Sequence, residues 1–158
     1  MMKKLAIVVA GWAVTMCAVA HAQNSKFNGS WKIVNAKSSW SDGNYPKNMS
    51  LAIDLVFNEE QLTYHSVNDT NKDKPASVSF TAGIGGKAFP LSGSPRYNQV
   101  TLKKISDNEF ELLELKDGDV IVGALWMFSQ DGKHLVRWGV GKSPEGKSKA
   151  YIEYFDRQ

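Results

Sequence analysis

The sequence has very little cysteine and histidine, and this shortage excludes several classes of protein. Cys17 is the only cysteine among the 158 residues, and the histidines are His21, His65 and His134. A single cysteine forms no internal disulfide and supplies no multi-cysteine zinc site. His65 and His134 stand in no motif typical of a nucleophilic triad, so each is predicted to lie on a strand surface. We therefore predict no catalytic residue, no metal site and no cofactor.

An excess of charge of one sign is also lacking. The whole chain has 19 basic and 16 acidic residues, which gives a formal net charge of +3. The segment after residue 22 excludes Lys3 and Lys4 and therefore has 17 basic and 16 acidic residues. A nucleic-acid interface needs clustered positive charge, so nucleic acid is not expected as a partner.

Long apolar runs are limited to one, which lies near the N-terminus. Leu5–Ala20 contains no charged residue, follows the basic start Met1–Lys4, and ends in the small-x-small site Ala20-His21-Ala22. This order is typical of a secretory signal peptide that is cleaved after Ala22. We therefore predict a signal peptide at 1–22, a single domain at 23–158, and a secreted or periplasmic location.

Two other interpretations of this apolar run are weaker. A membrane anchor needs roughly 20 apolar residues, and the run is shorter than that. A lipoprotein signal usually has a small residue directly before its cysteine, whereas Met16 precedes Cys17. No membrane-spanning segment is expected once the signal peptide is removed.

Sustained helical periodicity is lacking as well, and an alternation of apolar and polar residues takes its place. In 49–57 every second residue is apolar, which is typical of a strand with one buried face. Asp-Gly pairs at 117–118 and 131–132 are typical of hairpin turns. The predicted strands are 31–34, 49–57, 61–67, 77–81, 87–91, 97–105, 109–116, 120–129, 134–141 and 149–157. The pattern predicts an all-β fold, a single antiparallel up-and-down barrel of about 8–10 strands.

For some segments the sequence pattern does not determine which side chains face the barrel interior. Strand 120–129 is apolar on both faces, so the pattern does not show which face points inward. In 134–141, Val136, Trp138 and Val140 share one face. The polar stretch 23–28 is expected to be a loose arm.

The start of the first strand indicates how one end of the barrel is closed. Gly29-Ser30-Trp31 places a glycine, which allows a tight turn, before the largest apolar side chain. With the basic Arg157 in the last strand, this pattern resembles that of the calycins, meaning lipocalins and their relatives. The resemblance implies that Gly29, Trp31 and Arg157 close the barrel base, with the basic side chain packed over the tryptophan ring.

A second resemblance covers most of the chain. Its motifs are Gly29-x-Trp31-Lys32, Asn35-Ala36-Lys37-Ser38, Pro46-Lys47, Phe89-Pro90-Leu91-Ser92-Gly93, Val100-Thr101-Leu102-Lys103 and Ser129-x-Asp131-Gly132-Lys133. In this order they resemble a family of small exported bacterial lipocalin-like proteins of uncharacterised function. The resemblance implies a fold and an exported location, but no catalytic residues.

The aromatic residues exceed what one barrel base requires, and some are expected to line a cavity. The candidate ligand-binding residues are Trp40, Tyr45, Tyr64, Trp126 and Trp138. Trp40 and Tyr45 lie in a polar connection, where strand periodicity does not account for them. The two residues either cap the mouth of a pocket or anchor a protein partner. Trp40 alternatively folds back on the barrel base.

Two functions fit this architecture. The first is an exported binding protein that holds a small hydrophobic or lipid-like ligand in the barrel. The alternative is a protein-binding module, such as an inhibitor of an exported protease or hydrolase, that acts through loops 35–48 and 68–75. A hollow interior favours the first function, and a solidly packed interior favours the second.

Overall fold

A computed structural model describes residues 25–143 and 145–158 of the chain. The predicted signal peptide at 1–22 lies outside these residues. Within the described residues, no helix has the length and apolar character needed to cross a membrane.

The described residues form eleven strands and one short 3-10 turn, Asn35–Lys37. The strands are β1 Gly29–Ile33, β2 Ser39–Trp40, β3 Leu51–Phe57, β4 Gln61–Asn68, β5 Ala76–Gly83, β6 Gly85–Ser92, β7 Gln99–Lys104, β8 Glu109–Lys116, β9 Asp119–Phe128, β10 His134–Lys142 and β11 Ser148–Arg157. All ten predicted strands are present, with ends shifted by a few residues. The two-residue strand β2 was not predicted, because two residues are too few to show a period.

Ten of these strands close into one barrel. From β3 to β11 each strand pairs with the next, and β1 pairs with both β3 and β11. The pairings are antiparallel, and β2 adds to the free part of β11. This arrangement confirms the predicted single antiparallel up-and-down barrel, at the upper limit of the predicted strand number.

Alternating burial follows the predicted period of two. In β3 the buried residues are Leu51, Ile53, Leu55 and Phe57, and the residues between them are exposed. Such alternation separates the barrel interior from the solvent face. The same rule decides the open question in β9, where the inward residues are Val122, Ala124, Trp126 and Phe128.

In strand β10 the face that carries Arg137 points to the barrel interior, and the face that carries Trp138 points to solvent. Leu135 is fully buried and Arg137 points into the barrel, whereas Trp138 is 51% exposed. Val136 and Val140 lie on the same outer face as Trp138, as their spacing predicts.

Aromatic rings fill one end of the barrel. Phe128 stacks on Phe27 with ring centroids 4.2 Å apart, and its ring lies 5.4 Å from that of Trp31. Phe57 and Phe110 complete the cluster at 5.9 and 6.0 Å from Phe128. This end is therefore closed by five packed aromatic rings, of which the predicted Trp31 is one.

Phe27 shows that the segment before β1 is not the loose arm that its polarity predicts. Its side chain is 3% exposed, and its carbonyl accepts a hydrogen bond from the Trp31 indole at 3.2 Å. The side chain of Asn28 accepts a hydrogen bond from the Phe57 backbone N–H at 2.6 Å. Burial of one aromatic ring overrides the polar composition of its neighbours.

The three residues predicted to close the base come together. Trp31 lies opposite Arg157 in the β1–β11 register and is fully buried. The Arg157 guanidinium lies against Gly29, where an added Cβ would come within 3.2 Å of Nε. The same guanidinium donates a hydrogen bond to the Lys26 carbonyl at 2.9 Å. Arg157 thus joins the first strand, the last strand and the preceding segment.

Candidate functional site

The half of the barrel opposite the closed end contains a cavity of about 450 Å³. Ligand-binding cavities commonly range from about 300 to 1,000 Å³. The apolar part of the wall is formed by Met49, Leu51, Val78, Leu112 and Val122. The strands that form this wall are held in place by continuous pairing around the barrel.

Aromatic rings form one side of the cavity. Tyr64 stacks on Phe80 with centroids 4.7 Å apart, and Trp126 lies 5.7 Å from Tyr64. Tyr64 is 6% exposed and Trp126 is 2% exposed. Both side chains point inward because they share the parity of the buried residues on β4 and β9.

Trp40 lies at the mouth of the cavity. Short β2 pairs with β11, with Trp40 opposite Tyr151, which fixes the tryptophan at the rim. The Lys149 ammonium sits 3.4 Å from the centroid of the Trp40 ring and 3.5 Å from Asp42. Of the two predicted positions for Trp40, the structure has the one at the pocket mouth.

An ion pair lies inside the cavity. The Arg137 guanidinium is 2.5 Å from the Glu153 carboxylate, and the two side chains are 14% and 9% exposed. The guanidinium also lies 4.7 Å from the centroid of the Phe155 ring and 5.7 Å from that of Trp126. Burial alone lowers the pKa of Arg137, but Glu153, Tyr64 and Tyr151 together outweigh burial and raise it, so the guanidinium stays charged.

A second acid, Glu114, lies in the cavity wall near this pair. Burial raises the pKa of Glu114 to about 7, against the opposing effects of Arg137, Arg96 and a hydrogen bond with Tyr97. Burial also raises the pKa values of Tyr97 and Tyr151, which therefore stay neutral and keep their hydroxyl protons. Near neutral pH, Glu114 can donate as well as accept a hydrogen bond.

The cavity mouth carries basic side chains. Arg96 donates a hydrogen bond to the Lys142 carbonyl and lies 5.6 Å from the centroid of the Tyr97 ring. Lys142 and Lys149 also line the opening. The chemistry thus changes along the cavity, from packed aromatic rings through a neutralised ion pair to a basic rim.

The five predicted ligand-binding residues are divided by the structure. Trp40, Tyr64 and Trp126 line the same cavity. Tyr45 packs edge-on behind Trp40 at 5.5 Å and donates its hydroxyl proton to Asn35 at 2.7 Å. Trp138 lies on the outside of the barrel, because it alternates with the inward-pointing Arg137.

The three charged residues of the inner cavity were missed by the sequence reasoning. Charged residues in strands normally face solvent, which is why Glu114, Arg137 and Glu153 drew no attention. Their parity was nevertheless visible: Arg137 is two residues from the buried Leu135, and Glu153 is two residues from the buried Phe155. A charged residue in phase with buried apolar neighbours is the signal that identifies such a site.

The two histidines lie away from the cavity. His65 is exposed on β4, and His134 lies on the outer surface with its Nδ1 2.7 Å from Asp156. Both positions agree with the predicted strand-surface location. In residues 25–143 and 145–158, no three histidine, cysteine, aspartate or glutamate side chains gather as a metal site would require.

Stability should depend on the protonation of Glu114. Its pKa is about 7 in the folded chain, above the ordinary value of 4.5. The folded state therefore binds more proton than the unfolded state between these values, and stability falls as pH rises from about 4.5 to 7. The loss in the wild type amounts to at most about 3 kcal/mol of unfolding free energy. In Glu114→Gln this pH-dependent loss should disappear. Urea unfolding at a series of pH values measures it.

Glu111→Gln provides the control for this measurement. Glu111 lies on the same strand with the opposite parity, outside the cavity. Its replacement should leave the pH slope of the wild type in place. Equal slopes for wild type and Glu114→Gln would show that Glu114 does not titrate near neutrality.

Comparison with known proteins identifies a solved structure of similar fold. No protein-family model and no curated protein matches the chain. Its structure is similar to that of zebrafish ileal bile acid-binding protein complexed with cholic acid, with a TM-score of 0.54 and 13% sequence identity. The similarity covers 85% of this chain and 100% of the zebrafish chain.

The barrel has a calycin-like fold. This finding confirms the lipocalin-like fold that Gly29, Trp31 and Arg157 predict. The bacterial and exported character implied by the second resemblance stays a prediction, since the similarity concerns the fold alone.

Proposed function

We propose that the chain is an exported binding protein that holds a small, largely apolar molecule in the barrel cavity. The observation that carries the proposal is the contrast between the two ends of the barrel. Five aromatic rings close one end, whereas the other end contains a cavity of about 450 Å³. Cavities left unfilled destabilise a protein, so a hollow interior is favoured where it holds a ligand.

The walls of the cavity support an apolar ligand. Tyr64 and Trp126 offer ring faces, and Leu112 and Val122 offer aliphatic surface. Burying an apolar ligand against such surfaces contributes about 25 cal/mol for each Å² removed from water. The zebrafish protein of similar fold was solved with cholic acid, an observation in line with this proposal.

Export is supported by the sequence before the barrel. The basic start, the apolar run Leu5–Ala20 and the small residues Ala20 and Ala22 have the order of a cleaved signal. The described domain begins within a few residues of that site with Phe27, which belongs to the core. Cleavage after Ala22 would therefore leave the closed end intact.

The hollow interior favours this function over the inhibitor alternative. An inhibitor needs only a rigid scaffold and exposed loops, and a packed core serves it better. Loop 68–75 is held to the barrel, since the Ser50 backbone N–H donates to Thr70 at 2.9 Å. Loops 35–48 and 68–75 stay the candidate surface if no small molecule binds.

Native mass spectrometry of the protein from its own exported fraction tests the proposal. We expect the mass of a chain that begins at Gln23, together with a discrete additional mass that is lost on denaturation. The purified, delipidated protein should also bind the neutral fluorescent probe N-phenyl-1-naphthylamine. Binding should quench the tryptophan fluorescence of the protein, because Trp126 lines the cavity.

A matched pair of variants locates the binding. Val78 lines the cavity, whereas Val56 is 59% exposed on the outer face of β3. Val78→Phe should weaken probe binding at least about tenfold by filling the cavity, and Val56→Phe should leave it unchanged. Equal effects of the two substitutions, or no binding of any apolar probe, would contradict the proposal.

A further inference from the structure

We infer that the cavity receives the polar group of its ligand as a neutral hydroxyl or carbonyl, and that it rejects a carboxylate. This inference rests on the proposed function and specifies its ligand class. It follows from the arrangement of Arg137, Glu153 and Glu114 around the inner part of the cavity.

The positive charge of Arg137 is already neutralised inside the barrel. Glu153 lies 2.5 Å from the guanidinium, and both side chains are largely buried. The rings of Trp126 and Phe155 lie close to the same guanidinium and limit the approach of a second anion. A ligand carboxylate would have to share Arg137 with a resident carboxylate, which buries two like charges around one cation.

Glu114 adds to the cost of a buried anion. It lines the same cavity as Glu153, and it interacts electrostatically with both Arg137 and Glu153. The inner groups thus comprise two acids and one base. An incoming carboxylate is repelled wherever Glu114 is ionised, and it gains no uncompensated cation where Glu114 is neutral.

The same cavity wall offers hydrogen-bond donors to a neutral polar group of the ligand. Arg137 Nη1 is 3.5 Å from the Tyr64 hydroxyl, a long contact that leaves this donor available to a ligand oxygen. Tyr97 and Tyr151 also line the cavity and keep their hydroxyl protons. A hydroxyl or carbonyl oxygen can replace water at these groups without adding a charge.

The basic rim does not reverse this preference. Lys149 is held by Asp42 and by the Trp40 ring, and Arg96 is bonded to the Lys142 carbonyl. These groups lie at the opening, where water and salt screen their charges. They attract anions to the mouth but do not neutralise a carboxylate beside Glu153.

Competition between matched ligands tests the inference. N-phenyl-1-naphthylamine is displaced by 1-dodecanol or by dodecanoate at about pH 6.5, where the added acid is ionised. We expect dodecanol to bind at least about tenfold more tightly than dodecanoate. Equal affinities, or tighter binding of dodecanoate, would overturn the inference and leave the proposed function standing. Failure of the probe and of both ligands to bind would overturn the proposed function.

A single and a double variant identify the cause of the preference. Glu153→Gln frees the charge of Arg137 and should tighten dodecanoate binding at least about tenfold, with less than about a threefold change for dodecanol. Arg137→Gln/Glu153→Gln, which removes both charges, should return dodecanoate to weak binding. Circular dichroism identifies any variant that fails to fold. An unchanged preference in folded Glu153→Gln, or tight dodecanoate binding by the double variant, would show that the ion pair does not set the preference.

Discussion

Replacing Gly93 by alanine is expected to lower the free energy of unfolding by about 3–5 kcal/mol. Gly93 follows β6 with φ +90°, a backbone conformation that residues with a Cβ rarely adopt. An added Cβ would overlap the Ser77 carbonyl oxygen and lie 2.9 Å from the Ser77 carbonyl carbon. Both are backbone atoms, so the rim of the barrel between β5 and β6 would have to move. Urea unfolding measures the loss.

Gly118→Ala separates the two causes of this loss. Gly118 has φ +89°, nearly the same as Gly93, but an added Cβ there meets no atom within 4 Å. Its replacement should cost only about 1–2 kcal/mol, which is the cost of the backbone conformation alone. If both alanine variants lose the same stability, the close approach of Gly93 to Ser77 is not what constrains this corner.

Truncating Phe128 to alanine should cost about 3–5 kcal/mol and loosen the closed end. Phe128 is 4% exposed and lies at the centre of the aromatic cluster, next to Phe27, Trp31, Phe57 and Phe110. Its removal leaves a cavity, because the four neighbouring rings are held by other contacts and cannot move to fill it. The favourable contacts between these rings and Phe128 are also lost. Thermal unfolding and hydrogen exchange of the backbone before β1 measure the effect.

Phe89→Ala is the control for this prediction. Phe89 is only partly buried, on β6, where its ring packs at the edge of the core. Its truncation should cost less than about 2 kcal/mol, because solvent already reaches part of the ring. A similar loss for both phenylalanines would indicate that the ring cluster has no special role in closing the barrel.

The fold was predictable because its two main signals are local. Apolar alternation in β3 and β4 directly encodes which side chains point inward, and Asp-Gly pairs mark the hairpins. Gly29, Trp31 and Arg157 were predicted to close the base, and the coordinates place the Arg157 guanidinium against Gly29. Phe27 was not predictable, since one apolar residue in a polar stretch has no period.

The site was predicted only in part, because aromatic character does not reveal direction. Tyr64 and Trp126 face the cavity because they are in phase with the buried residues of their strands, whereas Trp138 alternates with the inward-pointing Arg137. Hydrophobicity ranks tryptophan as the inward residue and arginine as the outward one. In β10 the opposite holds, because Glu153 on the neighbouring strand supplies the partner that a buried arginine requires. That partner is distant in sequence and becomes visible only once strand pairing is known.

The positions of Ser25 and Gln158 have a practical consequence for experiments. The Gln158 backbone N–H donates to the Ser30 carbonyl at 2.9 Å, and Arg157 reaches the Lys26 carbonyl, so both ends of the described chain meet beside the ring-filled base. A fusion partner or biosensor surface attached after Gln158 would therefore stand on the side away from Trp40. Immobilised protein would present its ligand entrance to the flowing solution, and a linker between the two ends could be short enough for circular permutation.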